Sequence, residues 1–345
     1  MNVTTRVLTP DAAGIAMAAG MLRGGGLVAF PTETVYGLGG DALSPAAVAR
    51  IFAAKGRPAA DPLIVHLAAQ ADLAQVVAAV SPVASALAAA FWPGPLTLIL
   101  PRGPAVPLAV TAGGDSVAVR VPAHPVARAL IASAGTPLAA PSANRFGHTS
   151  PTDAAHVLAD LAGRIDAVID GGATMIGVES TVLDLTTPVP TLLRPGGVSL
   201  EALRAFLGAV EVAGRAAPDA TLRSPGLMER HYAPECALWL VVGPQAGARA
   251  WLRERATQEL AAGRRVGLLV PDEDAAQLAA LGADVEALGP AGELEAVARR
   301  LYAALRALDA RQPDLILARD LGEAGLARAI GDRLARAAAG RVVRI

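Results

Sequence analysis

The stretch LVAFPTETVYGLGGDA, residues 27–42, joins an apolar segment to a polar, glycine-rich one. It opens with four apolar residues and runs directly into a polar loop followed by three glycines. This pattern predicts a buried β-strand that ends in the polar segment Thr32, Glu33, Thr34 and Tyr36. Open α/β sheets bind ligands beyond the carboxyl ends of their strands, so these four residues are candidate site residues. An ordinary polar loop would give the same pattern.

Outward from this stretch, strand patterns and helix patterns alternate through residue 208. Several predicted helices begin with Ser-Pro, at Ser44, Ser81 and Ser150, which places a capping hydroxyl before a proline at the first helical position. The alternation predicts a mixed α/β domain with a large sheet over residues 1–208. The predicted helices are 11–23, 45–55, 69–79, 82–91, 124–134, 151–162 and 199–208, and the predicted strands are 27–30, 63–67, 96–100, 116–121, 137–140, 165–170, 180–185 and 191–194.

The second half of the chain has a different organisation. Residues 209–236 have no sustained period and many turn residues, so they are expected to form a linker. Over 237–345, five short apolar strands alternate with four helices at 246–262, 273–281, 291–309 and 322–338. This predicts a smaller, mostly parallel Rossmann-like domain. No Gly-x-Gly-x-x-Gly run follows its first strand, so a dinucleotide is not expected and the role of this domain stays open.

The composition excludes several classes of protein. Of the 345 residues, 53% are hydrophobic and 18% are charged, which argues for packed cores and against disorder. No apolar run approaches the roughly 20 residues of a membrane-spanning helix. The segment MNVTTRVLTPDAAG has no basic head followed by an apolar run, so an export signal is not expected. The single cysteine, Cys236, excludes an internal disulfide and a cysteine-cluster zinc site. We therefore expect a cytoplasmic protein.

The basic residues point to a phosphate site. The chain has 30 lysines and arginines, and Lys55 is the only lysine among them. A sequence that uses arginine almost everywhere keeps lysine where a compact ammonium fits and a planar guanidinium does not. Lys55 and Arg57 lie where helix 45–55 is expected to end at Gly56, and two cations on a rigid bend suit a phosphate. A helix-end lysine also stabilises the helix dipole without any function.

Other polar residues stand at predicted strand ends. Ser142, Asn144 and Ser150 follow strand 137–140, and hydroxyls and an amide beside a helix N-terminus suit an anion and a ribose. A simple turn and cap explains Ser150 equally well. Arg120 lies in an apolar strand, where its charge needs a partner such as a substrate carboxylate. Further strand-end candidates are Ser180 and Arg194, and His66 is either a core histidine or a site residue.

These residues carry a family resemblance. The succession PTETVYGLG, KGRP with PLIVHL, FWPGPLTLIL, VAVRVP, PLAAPSAN, SPT, GVESTV and LRPGG resembles the YrdC-type threonylcarbamoyl-AMP synthases, in order along almost all of residues 20–200. The nucleotide-site motif of that family is a Lys-x-Arg pair and a Ser-x-Asn pair, which are present as Lys55/Arg57 and Ser142/Asn144. The resemblance implies a twisted mixed sheet with an open cleft.

The resemblance also implies a reaction. Such enzymes convert L-threonine, bicarbonate and ATP to threonylcarbamoyl-AMP and pyrophosphate with the help of Mg²⁺, and a partner complex transfers the threonylcarbamoyl group to tRNA. Lys55 and Arg57 would stabilise the charge of the departing pyrophosphate, with Mg²⁺ held by ATP phosphates and no protein ligand assigned. By similarity, threonine is bound by Thr32, His66, Arg120, Ala140 and Ser180. By similarity, ATP is bound by Lys55, Arg57, Ser116, Ser142, Asn144, Ser150, Arg194, His231 and Tyr232.

The segment SPGLMERHYAP, residues 224–234, is similar to the linker of the longer, two-domain members. The four residues 227–230 read Leu-Met-Glu-Arg, where members often carry Met-Lys-Tyr-Arg. We expect this linker to act as a lid over the reaction, with His231 and Tyr232 reaching the nucleotide.

Two other functions are compatible with parts of the sequence. Carbamoyl transfer for hydrogenase maturation uses a related domain, but those proteins carry an acylphosphatase-like domain and zinc-finger cysteine pairs that this chain lacks. Double-stranded RNA binding is a non-enzymatic alternative. A net charge of −1 argues against strong binding to a polyanion, so at most weak RNA binding is expected.

Overall fold

The computed structural model describes residues 4–214, 224 and 231–345. The chain divides into two compact units. The first unit comprises Met1–Phe146, Ser150–Met175 and Glu179–Leu227, and the second comprises Gly147–Thr149, Ile176–Val178 and Met228–Ile345. No helix within the described ranges is long and apolar enough to cross a membrane.

The first unit is built on a mixed sheet of eleven strands among its described residues, in the order β1-β8-β2-β3-β7-β4-β6-β5-β9-β10-β11. Parallel and antiparallel pairs both occur: β4 runs parallel to β6, whereas β5 runs antiparallel to it. The strands are β1 Arg6–Leu8, β2 Val28–Phe30, β3 Gly37–Asp41, β4 Ile64–His66, β5 Leu96–Pro101, β6 Ser116–Arg120, β7 Leu138–Ala139, β8 Ala167–Ile169, β9 Thr181–Asp184, β10 Thr191–Arg194 and β11 Glu211–Val212.

Helices cover both faces of this sheet, which explains why its strands read as continuous apolar runs. Along β2, Ala29 belongs to one apolar cluster while Val28 and Phe30 belong to another, because successive side chains point to opposite faces. The Ser-Pro starts at Ser44 and Ser81 are confirmed as caps, each accepting a backbone N–H three residues on. The helices are α1 Ala12–Arg23, α2 Pro45–Lys55, α3 Pro82–Phe91, α4 Pro125–Ala134, α5 Ala154–Leu161 and α6 Leu200–Leu207.

Two helix predictions in this unit are wrong in detail. The predicted helix 69–79 is a short 3₁₀ segment, Gln70–Gln75. It ends because the chain turns to pair with the end of β5, where the Ala78 amide donates to the Pro101 carbonyl at 2.9 Å. The predicted helix 151–162 begins only at Ala154, because the Asp153 side chain rather than Ser150 accepts its first free amide.

The second unit contains a parallel sheet of five strands among its described residues, in the order β14-β13-β15-β12-β16. Its strands are β12 Ala237–Val242, β13 Val266–Val270, β14 Asp284–Ala287, β15 Leu315–Arg319 and β16 Val342–Arg344, and its helices are α7 Gln245–Ala261, α8 Asp272–Leu278, α9 Leu294–Ala310 and α10 Leu326–Ala338. The large mixed sheet and the separate parallel sheet confirm the predicted fold class. The linker prediction falls largely on residues 215–223 and 225–230, which lie outside the described residues.

Candidate active site

The polar loop after β2 is held by its own side chains. The Thr32 hydroxyl donates to the Val35 carbonyl at 2.6 Å and accepts the amides of Thr34 and Val35 at 3.1 and 3.3 Å. Short hydroxyl side chains form such local turns readily. Thr32 is 2% exposed. Its position therefore fixes the backbone on which Glu33 and Thr34 are carried.

Arg120, at the end of β6, has a protein partner. Its Nη2 lies 2.6 Å from Oε1 of Glu33, its Nη1 donates to the Thr34 hydroxyl at 2.9 Å, and its Nε donates to the Gly94 carbonyl at 3.1 Å. Burial raises the pKa of Glu33, but the charge and hydrogen bonding of Arg120 outweigh it, so the pKa lies below its ordinary value. The sequence suggested a substrate carboxylate as the partner of Arg120. In this structure, Glu33 balances the Arg120 charge.

His66, at the end of β4, lies beside Arg120 because the two residues are register partners on parallel strands. The imidazole is buried, its Nδ1 is 3.3 Å from the Ile64 carbonyl, and its ring meets the Phe30 ring edge-on at 6.3 Å. Burial, assisted by the positive charge of Arg120, lowers the pKa of His66 to about 3. His66 is therefore neutral at physiological pH.

The buried histidine makes folding sensitive to acid. The folded pKa of His66 is depressed below the ordinary 6.5, so the unfolded chain binds a proton that the folded protein does not. The stability contributed by neutral His66 is complete above pH 6.5 and is lost as the pH falls toward 3. Between pH 7.5 and 4.5, we expect a loss of about 2–3 kcal/mol from this group. Urea unfolding at both pH values should show a smaller loss in His66→Gln, and an equal loss in both proteins would contradict this account.

Lys55 ends α2, and Gly56 in the left-handed conformation turns the chain away. The Lys55 side chain is 3% exposed, and its Nζ donates to the carbonyls of Ser142 and Asn144 at 2.5 Å each. Burial, followed by the nearby charge of Arg57, places the pKa of Lys55 well below its ordinary value. The structure thus brings the predicted Lys-x-Arg and Ser-x-Asn pairs into direct contact.

Arg57 is fixed by the chain that follows it. Its Nε donates to the Asp61 carbonyl at 3.0 Å, its Nη2 donates to the Pro62 carbonyl at 2.8 Å, and Nη2 lies 2.9 Å from the Asp61 carboxylate. Burial raises the pKa of Asp61, and the charges of Arg57, Lys55 and Arg194 oppose this rise. Three cations therefore surround one carboxylate, which leaves a local excess of positive charge suited to a polyanion.

The Ser-x-Asn segment is held against β3. Ser142 forms an isolated β-bridge with Gly37, and the Ala143 amide donates to the Tyr36 carbonyl at 2.8 Å. The Asn144 amide group donates to the next carbonyl along the chain at 2.8 Å. The backbone of this loop is consequently rigid, and its carbonyls face the Lys55 ammonium.

Ser180 and Arg194 form a second contact at strand ends. Arg194 donates to the Ser180 carbonyl from Nε at 3.2 Å and from Nη2 at 3.0 Å, and Nη2 also donates to the hydroxyl at 3.2 Å. The Ser180 hydroxyl is 2.7 Å from that of Thr97. A Cβ on Gly196 would lie 2.3 Å from the Thr181 nitrogen, so only glycine allows this close approach.

The remaining predicted residues of the first unit lie at different places along the sheet. The Ala140 amide donates to the Ile64 carbonyl at 2.9 Å, which places Ala140 beside the strand of His66. Ser116 begins β6 and Arg120 ends it, so they are about 13 Å apart along the strand. Ser116 therefore lies at the opposite end of β6 from Arg120.

Ser150 is buried, and its hydroxyl donates to Oε1 of Glu179 at 2.6 Å. This contact explains why Ser150 does not cap a helix. The acids of the site are Glu33, Asp61 and Glu179; sequence reasoning named Glu33 and the strand start that contains Glu179 without assigning them partners, and it missed Asp61. Each contacts a predicted residue, and the partners are Arg120, Arg57 and Ser150 in that order. Asp61 stands four residues after Arg57, and this spacing is the signal that could have found it.

His231 and Tyr232 belong to the second unit. The Tyr232 side chain is 1% exposed, and its ring stacks on Tyr302 at 5.9 Å, with the Arg333 guanidinium 5.1 Å from its centroid. The His231 ring lies 4.1 Å from the Tyr232 ring. Across residues 4–214, 224 and 231–345, no group of three or more histidine, cysteine or acidic side chains could hold a metal ion.

Comparisons with known proteins identify the family of the chain. Residues 20–196 match the family described as Telomere recombination, which comprises Sua5, YciO and YrdC, and residues 198–339 match the C-terminal domain of threonylcarbamoyl-AMP synthase. A threonylcarbamoyl-AMP synthase of Pyrococcus abyssi is 45% identical over 336 residues, which is 96% of each chain. One of Bacillus subtilis is 45% identical over 347 residues, or 100% of this chain and 98% of the other.

A solved structure extends the similarity to three dimensions. The crystal structure of P. abyssi Sua5 complexed with L-threonine matches with a TM-score of 0.91 and 42% identity, covering 100% of both chains. Two family matches together span both units, and full-length relatives share nearly half of the sequence. The chain therefore belongs to the threonylcarbamoyl-AMP synthase family, in its two-domain form.

Proposed function

We propose that this chain converts L-threonine, bicarbonate and ATP to threonylcarbamoyl-AMP and pyrophosphate. The contact of the Lys55 ammonium with the Ser142 and Asn144 carbonyls carries the proposal. It joins the two motifs expected at a nucleotide site, and Arg57 and Arg194 add positive charge around Asp61. A fully buried basic cluster with one internal acid suits the polyphosphate of ATP.

The threonine site is proposed at the neighbouring strand ends. Arg120 would bind the threonine carboxylate, because a guanidinium recognises a carboxylate through two parallel hydrogen bonds. His66, Thr32, Ala140 and Ser180 would complete this site, as the family resemblance implies. The segment from Ala140 to Asn144 connects the two sites, since its first residue pairs with β4 and its last touches Lys55. The proposed threonine and nucleotide sites would thus share the five-residue segment 140–144.

The adenylate forms when the threonine carbamate attacks the α-phosphate and pyrophosphate leaves. Lys55, Arg57 and Arg194 would stabilise the negative charge that develops on the departing group. No covalent intermediate is required. Burial raises the pKa of the Cys236 thiol to about 11, which keeps it protonated and a poor nucleophile. Mg²⁺ would enter with the ATP phosphates and neutralise part of their charge, with no protein ligand assigned.

Further assignments are proposed on the family resemblance alone. Ser116, Ser150, His231 and Tyr232 would contact the nucleotide, and the linker would close over it. The division into a catalytic domain 1–208, a linker 209–236 and a Rossmann-like domain 237–345 is proposed from the pattern of strands, helices and turn residues in the sequence. A tRNA-modifying transfer complex would accept the product in the cytoplasm, and any RNA binding by this chain would be weak.

Pyrophosphate release tests the reaction. Purified protein with ATP, Mg²⁺ and bicarbonate should release pyrophosphate with threonine, and much less with serine or with no amino acid. Omitting bicarbonate, or replacing Lys55 by alanine, should abolish the threonine-dependent rate. Release that is indifferent to amino acid and bicarbonate would overturn the substrate assignment.

A further inference from the structure

Glu33 is a buried acid to which the proposed reaction assigns no role. Its side chain is 2% exposed, and its Oε1 lies 2.6 Å from Nη2 of Arg120. The contact is an ion pair without strict hydrogen-bond geometry, and the backbone amides of Glu33 and Ala123 also act on the carboxylate. Buried charged atoms whose hydrogen bonds are not well formed are costly, so this pair is suited to engage a third group.

We propose that Glu33 is the general base that takes a proton from the threonine ammonium group, and that arrival of the threonine carboxylate at Arg120 activates it. The inference rests on the proposed function, in which Arg120 binds that carboxylate. In an α-amino acid, the nitrogen and the carboxylate are attached to the same carbon. A threonine held by Arg120 therefore brings its ammonium group within a few ångströms of the carboxylate that Arg120 contacts.

Competition for Arg120 provides the activation. In the ligand-free protein, the Arg120 charge holds the pKa of Glu33 below its ordinary value despite burial, so the carboxylate is ionised. When a second carboxylate shares Arg120, part of this stabilisation is lost while burial remains, and Glu33 becomes more basic. The other titratable groups that act on Glu33 are His66 and His124. Burial lowers the pKa of both, so neither supplies a replacement positive charge.

The proton balance closes with carbon dioxide formed from bicarbonate. Glu33 takes one proton from the ammonium group, which frees the nitrogen lone pair. Bicarbonate takes up that proton and loses water to give carbon dioxide. The lone pair then forms the N–C bond, and the second N–H proton leaves the nitrogen to Glu33, giving a carbamate anion. Overall, one ammonium ion and one bicarbonate give one carbamate, one water and one proton.

The test compares Glu33→Gln with the wild-type protein. Glutamine preserves the shape of the side chain but accepts no proton at this pH. We expect threonine-dependent pyrophosphate release to fall about a hundredfold at pH 7, within the range of lost general-base catalysis. The rate of the variant should then rise about tenfold per pH unit as free threonine loses its proton, whereas the wild-type rate stays nearly flat. Glu211→Gln, at an exposed position in the same unit, is the matched control and should leave the rate unchanged.

Two further measurements separate catalysis from structure. Threonine binding by calorimetry should be unchanged or tighter in Glu33→Gln, because a competitor for Arg120 has been removed. Pyrophosphorolysis of threonylcarbamoyl-AMP made by the wild-type protein should be retained, because that step needs no deprotonation of an amine. The role of Glu33 would be overturned if the pH profiles of the variant and the wild-type protein were parallel. It would also be overturned if the variant lost pyrophosphate release and pyrophosphorolysis equally. A wild-type protein without threonine-dependent release would instead overturn the proposed function.

Discussion

Replacing Lys55 by arginine is expected to lower threonine-dependent pyrophosphate release about a thousandfold, or about 4 kcal/mol in the activation free energy. The side chain is 3% exposed, and its Nζ is already bound to two carbonyls at 2.5 Å. A guanidinium keeps the charge but is larger and planar. In the same space it cannot bind the two carbonyls, and it cannot bind a phosphate as the lysine ammonium would. Arg50→Lys, which makes the reverse exchange on an exposed part of α2, should leave the rate unchanged.

The same geometry predicts a proton uptake. The Lys55 ammonium has three N–H donors and uses two of them on the Ser142 and Asn144 carbonyls, so the third can serve a phosphate. Burial places the pKa of Lys55 well below its ordinary value, and a bound phosphate opposes that shift, so ATP binding should raise the pKa. Calorimetry in buffers of different ionisation enthalpy, repeated over a range of pH, should show protons taken up with ATP. Turnover of Lys55→Arg within tenfold of wild type would contradict the expected loss of rate, and ATP binding without proton uptake at any pH would contradict the expected rise in pKa.

The strands and helices around the site follow from local patterns. The apolar run before the PTET loop is β2, and the Ser-Pro starts at Ser44 and Ser81 are helix caps. Uneven use of lysine and arginine singled out Lys55 without any contact information. Each of these signals is local in sequence, because capping, chain punctuation and residue choice act within a few positions.

Other features depended on contacts that sequence patterns do not carry. Glu33 and Arg120 are 87 positions apart, and nothing in either local pattern marks them as a pair. The strand Gly37–Asp41 has three glycines and reads as a loop, yet it forms because Phe30 fills the space beside Gly39, where a Cβ would lie 2.8 Å from the ring. Tertiary packing overrode the low strand propensity of glycine there.

Because Arg120 pairs with Glu33, replacing Arg120 is expected to lower both stability and activity, and the two effects can be measured separately. Arg120→Gln is expected to lower kcat/KM for threonine about a thousandfold, because the carboxylate-binding guanidinium is lost. It also leaves the Glu33 carboxylate buried without its counter-ion, which should reduce the free energy of unfolding by about 3 kcal/mol or more. Urea unfolding and threonine-dependent pyrophosphate release measure the two effects independently.

Combining Arg120→Gln with Glu33→Gln isolates the ion pair. The double variant contains two neutral amides where the charges were, so most of the lost stability should return, and the coupling between the two sites should be favourable in a double-mutant cycle. Threonine binding, measured by calorimetry, should not return, because no cation remains for the substrate carboxylate, whereas Glu33→Gln alone should still bind threonine. Recovery of stability without recovery of threonine binding would show that Arg120 binds the substrate and that the defect of Arg120→Gln is not misfolding. If threonine binding returned with stability, Arg120 would only balance the charge of Glu33, and the threonine carboxylate would have to bind elsewhere.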